Sequence, residues 1–156
     1  MEQGLPIQGE LKPLSFTTWK LIKHTWHTKW VRFHLKSDVM HASVQLGDWV
    51  LNADDKYTGW YPAKSVYRAY RPWYVPVHHY NLGLVKTNIQ QPIPVSVWSM
   101  IRWWYFRGPT PKNCTAICAE ALRHHGIDLP PDLVYLEDIE KAIHDCTGIQ
   151  WESKEW

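Results

Sequence analysis

His41-Ala-Ser-Val-Gln-Leu-Gly-Asp-Trp-Val-Leu-Asn52 holds two short apolar-patterned runs on either side of a Gly-Asp pair. Ala42, Val44 and Leu46 alternate with His41, Ser43 and Gln45, so Met40 to Leu46 reads as a strand with one apolar face. Gly47-Asp48 is a tight-turn pair, and Trp49 to Ala53 is a second short apolar run. Together they predict an antiparallel hairpin that carries His41 near its start and Asn52 near its end.

Downstream, Asn113 to His125 runs without Gly or Pro and meets Gly126, which predicts a helix with a C-terminal glycine cap. Arg107-Gly-Pro-Thr-Pro111 isolates it from Val95 to Phe106, an aromatic helix with Val97, Met100, Ile101 and Trp104 on one face. Leu136 to Asp145 carries Ile139, Ala142 and Ile143 as the stripe of a last helix. Upstream, Trp19, Ile22, Trp26 and Trp30 recur at three-to-four-residue spacing from Ser15, which predicts a first helix. A third strand is expected at Ser65 to Tyr70 or at Trp73 to Val77, the latter confined to an edge by Pro72 and Pro76. Asn81 to Pro94 reads as an extended connection, and residues 1–14 as an arm on a single domain over 15–156.

With 156 residues, 45% of them apolar, the chain has one domain's length and core. A formal charge of +2 gives no electrostatic reason to expect a nucleic-acid partner. No apolar run is long enough to span a bilayer, and no signal peptide is read at the start, so synthesis in a cytoplasm is expected. Eleven tryptophans, several beside basic residues, read as core contacts or as aromatics covered by Lys and Arg stems. A protein partner or carbohydrate on a Trp-rich surface is the sharper alternative.

Cys114 falls in the first turn of its helix, where unpaired N–H groups and the helix dipole favour a thiolate. Cys118, one turn deeper, reads as core, and Cys146 as an idle thiol. His41 is a strand-borne imidazole, and Asn52 stands where an amide can orient its ring. Six other histidines, His24, His27, His78, His79, His124 and His125, have no Cys or carboxylate at a zinc-site spacing, and no cofactor or metal is expected.

The hairpin from His41 to Asn52, followed by Asn113-Cys114-Thr115 opening a helix, resembles the permuted NlpC/P60-type papain-like superfamily. In the lecithin retinol acyltransferase branch a histidine occupies the place that Asn52 has here. The resemblance spans about Ser15 to Gly126. It implies an α+β permuted papain-like fold, a small antiparallel sheet packed against helices, and a thiol enzyme with Cys114 as nucleophile, His41 as base and Asn52 as orienting residue. A peptidoglycan-type peptide is the implied substrate. The alternatives are lipid-directed acyl transfer with Trp98, Trp103 and Trp104 at a membrane surface, and an idle module of a phage virion.

Overall fold

Along the first strand, Leu14 and Phe16 turn to one side of a sheet while Ser15, Thr17 and Trp19 turn to the other. In this computed structural model, which describes residues 5–23, 26, 29, 30, 33, 39–53, 58–109 and 111–154, that strand is β1, Leu11–Leu21. It lies between β2 (Val39–Leu46) and β5 (Tyr74–Lys86) in a six-stranded antiparallel sheet of order β4-β3-β2-β1-β5-β6. The remaining strands are β3 (Trp49–Asn52), β4 (Gly59–Pro62) and β6 (Glu152–Ser153). Four helices complete the described fold: α1 (Ala63–Tyr70), α2 (Val97–Phe106), α3 (Cys114–His124) and α4 (Leu136–Thr147).

Helices α3 and α4 cover one face of the sheet. Their Ile117, Cys118, Leu122, Ile139 and Ile143 pack on Phe16, Ala42, Val44, Leu46 and Leu51 in the main core. Helix α1 covers part of the other face, where Trp19 and Val50 meet Val66 and Tyr70. The hairpin β2–β3 closes through Gly47-Asp48, with Leu46 opposite Trp49 and Gly47 at φ 59°, a backbone setting glycine adopts without Cβ strain. Asn113 caps α3 by accepting from Ala116 N at 3.0 Å, and its amide donates to Val134 O at 2.8 Å. Gly126, at φ 91°, follows the end of α3 and lets Ile127 N return to Leu122 O at 3.0 Å.

Several sequence expectations need correction. The helix expected from Ser15 is instead β1 up to Leu21, and helical backbone appears only beyond it, at Trp26, Lys29, Trp30 and Phe33. Alternation over Leu14 to Trp19, with β-branched Thr17 and Thr18, outweighs the tryptophan spacing once neighbours flank both edges. The strand begins at Leu11, inside the stretch read as an arm. Ser65 to Tyr70 is helical, because Val66, Tyr67 and Tyr70 then share the side facing Trp19. The strand expected at Trp73 to Val77 extends to Lys86 and takes in the start of the connection expected from Asn81. Irregular pairing between Thr17 and Trp19 accommodates it opposite Pro76, and β5 is not the edge strand expected, since β6 pairs with it at His78 and His79, beyond Pro76.

Trp19 is fully buried, and its Nε1 donates to Ser43 Oγ at 2.9 Å. Trp19→Ala should therefore destabilise the fold by about 3 to 5 kcal/mol, read as a lower urea midpoint at unchanged m value.

Candidate active site

Because β2 alternates, Ala42 enters the core beneath α3 while His41 is turned to the opposite face, under α1. The imidazole is 5% exposed and stacks on Tyr74, with ring centroids 5.0 Å apart and planes 22° apart. Its Nε2 lies 2.7 Å from Tyr70 Oη, and Tyr70 Oη donates to Asn52 Oδ1 at 2.5 Å. An amide oxygen only accepts, so the single phenolic proton is committed to Asn52. Tyr70 Oη must then accept from His41 Nε2–H, which fixes the neutral ring as the tautomer whose basic nitrogen is Nδ1.

The structure thus brings together two of the three residues singled out in the sequence, through a third that the sequence reading missed. Asn52 orients the imidazole by way of Tyr70. The available signal was the helical spacing of Val66, Tyr67 and Tyr70, which becomes visible only when 63–70 is read as a helix rather than a strand.

Cys114 opens α3 behind its Asn113 cap, on the other side of the sheet, so the expected meeting of its sulfur with the His41 ring is not found. The thiol lies against the backbone of Ala42, one position from His41, where the β2–β3 ladder from Leu46 to Val44 has already ended. Burial pushes the thiol above its ordinary pKa, and the opposing hydrogen bonds from Ala42, from Thr115 and from its own backbone do not reverse this. The readily ionised thiol expected at a helix N-terminus is therefore not found: desolvation outweighs the dipole. Cys118 is buried beneath it and is pushed still further up, first by burial and then by Cys114. Cys146 is exposed and donates to Asp128 O at 2.7 Å, and all three thiols are reduced.

A cleft of about 210 Å³ runs along the outer side of α3, lined by Pro111, Lys112, Ala116, Glu120, Arg123 and Leu133. Lys112 and Ala116 bracket Cys114 in the chain, although Cys114, His41 and Asn52 do not themselves line the cleft. Elsewhere, polar side chains lock elements together. His78 Nδ1 lies 2.5 Å from Glu140 Oε1, which also accepts from Tyr80 Oη at 2.9 Å, so α4 is tied to β5. His79 Nδ1 meets Thr17 Oγ1 at 2.9 Å, and burial followed by Lys154 lowers its pKa against the pull of Glu152. His125 uses both ring nitrogens, on Ala121 O and Asn88 N. Among the described residues no three His, Cys, Asp or Glu side chains group as a metal site, and His24 and His27 lie outside those residues.

Compared with family models, curated proteins and solved structures, the chain matches none.

The raised thiol pKa has a measurable sign. A smaller fraction of Cys114 is thiolate at neutral pH than of an ordinary free thiol, so iodoacetamide should label it more slowly than it labels N-acetylcysteine, with the deficit shrinking as pH rises. Site-resolved mass spectrometry across an alkaline pH series measures this, and labelling of Cys114 faster than the free thiol at neutral pH would contradict it.

Proposed function

We propose that the protein is a thiol hydrolase of permuted papain-like layout that cleaves an amide bond through a Cys114 thioester, with a peptidoglycan-type peptide as substrate. The observation that carries this reading is the placement of the Cys114 sulfur in the first turn of α3, behind the Asn113 cap and against the backbone of Ala42, while His41, the base expected beside it, is held on the other face of β2 by Tyr70 and Asn52. In this mechanism the thiol rests protonated. Its proton passes through solvent to the amide nitrogen as the sulfur attacks the carbonyl, the Sγ–C bond forms, and the carbonyl electrons move onto oxygen. The N–H groups of the first turn of α3 face that oxyanion, and the protonated amine leaves as the carbonyl re-forms. Water then hydrolyses the thioester, and the proton it gives up restores the thiol.

Tyr70 fixes the orientation and tautomer of the His41 ring, which is a structural role on the α1 face. The reading is supported by the resemblance of His41 to Asn52 and Asn113-Cys114-Thr115 to the superfamily pattern, and by the α+β arrangement of sheet and helices.

Incubation with muropeptides, followed by mass spectrometry of the products, tests the proposal. Cys114→Ala should abolish cleavage, whereas His41→Ala, Tyr70→Phe and Asn52→Ala, which break a buried bond chain on the other face, should lower the urea midpoint and leave kcat within about tenfold of native. Full activity in Cys114→Ala, or no cleavage by the native chain alongside an unreactive Cys114, would overturn the assignment.

A further inference from the structure

Helix α2 carries large apolar side chains on the side it turns to solvent as well as on the half-buried side, where Met100, Ile101, Trp103 and Trp104 lie. Ser99 is buried, whereas Trp98, Arg102, Tyr105 and Phe106, which share one side at i, i+4, i+7 and i+8, all face outward. Trp98 is 58% exposed and Phe106 70%. Beside this face stands a second one of the same kind. Trp26 and Phe33 are 72% and 77% exposed on helical backbone, and Trp30 between them contacts Tyr105 and Trp104 at centroid separations of 6.5 and 5.5 Å. The two faces therefore join into one aromatic surface, larger than scattered single apolar residues would make.

Charge selects the partner. The chain contains no Asp or Glu from Leu11 to Ser37, nor from Lys56 to Ala119, the two stretches that supply this surface, while Lys29, Arg102 and Arg107 belong to it or its rim and are exposed. Aromatic rings with amphipathic edges, set among cations on stretches of chain that carry no carboxylate, match the headgroup level of a bilayer bearing negative charge. The helix has 10 residues, and no helix among the described residues is long and apolar enough to cross a membrane, so contact is with the surface only.

We propose that the outer face of α2, together with Trp26, Trp30 and Phe33, docks the protein on an anionic membrane interface. The inner side of the same helix holds the chain leading into Cys114. Lys112 N donates to Ser99 Oγ at 3.0 Å, Ser96 N donates to Lys112 O at 2.9 Å, and the Asn113 amide reaches Met100 Sδ at 3.4 Å. Docking thus sets the first turn of α3 one helix thickness from the lipid headgroups. The proposal stands on the surface itself and holds whether or not Cys114 is a nucleophile.

Co-sedimentation of the full chain with vesicles of phosphatidylcholine alone, and of phosphatidylcholine mixed with phosphatidylglycerol, tests it. The protein should pellet with the mixed vesicles, and added salt should release it in part. The double variant Trp98→Ser/Phe106→Ser should weaken binding about a hundredfold through the loss of two inserted aromatic side chains. Arg102→Glu should weaken binding to mixed vesicles specifically. Because these side chains are exposed, the variants should keep the native urea midpoint, which confirms that the fold is intact. Failure to pellet with either vesicle, or equal binding by the double variant, would overturn the proposal. So would a dimer in sedimentation velocity that the double variant dissolves, since a second copy would then be what covers the face.

Discussion

Strand β2 is buried on both sides, and a polar face can be buried only if each polar group on it finds a partner. Three consecutive inward positions on the α1 side, His41, Ser43 and Gln45, meet this requirement in the same way. His41 bonds Tyr70 Oη, Ser43 accepts from Trp19 Nε1, and Gln45 accepts from Tyr67 Oη at 2.5 Å. Each partner brings a large apolar ring with one polar atom at its edge, so a single side chain both fills the layer and satisfies the strand. Burial also raises the Tyr67 pKa, which keeps its hydroxyl proton in place for Gln45. This ladder explains why the protein needs tryptophan and tyrosine where an ordinary core would use leucine. It also holds the imidazole of His41 in one orientation.

The parts of the fold that sequence made legible are those whose signals are local. The β2–β3 hairpin is declared by alternation around Gly47-Asp48, and α3 by its Asn113 cap and Gly126 stop, because both elements are specified by residues within them. Strand β1 was hidden because Trp19, Ile22, Trp26 and Trp30 happen to keep a helical interval across a strand end and the helical residues beyond it. Helix α1 was hidden because eight residues, preceded by Pro62 and lacking a side-chain cap, carry too little periodicity to outvote Val66-Tyr67 and Tyr70 as strand formers. Cys114, His41 and Asn52 stood out from residue type and position. Tyr70 did not, because its part depends on a meeting across 18 and 29 residues of chain that only the packing of α1 arranges.

The thiol shows where a local rule yields to its surroundings. A helix N-terminus offers fractional positive charge and unpaired N–H groups, which favour a thiolate when the end of the helix is open to water. Here α3 presses its first turn onto β2 beside Ala42, and the cost of charging sulfur in that enclosure exceeds what the donors return. A thiol held in this way rests protonated, and the dipole of α3 does not charge it.

Helix α2 then connects the two uses the molecule makes of its aromatic residues. On β2 they are turned inward against polar atoms, and on α2 they are turned outward among cations. The loop between α2 and α3 is short and is bonded to α2 at Ser96, Ser99 and Met100, so a displacement of α2 is transmitted to Asn113 and to the first turn of α3. The Asn113 side chain also joins that turn to Val134 ahead of α4, so the turn is held from two sides and shifts as a unit. The outer face of α2 and the first turn of α3 are thus two sides of one bonded unit.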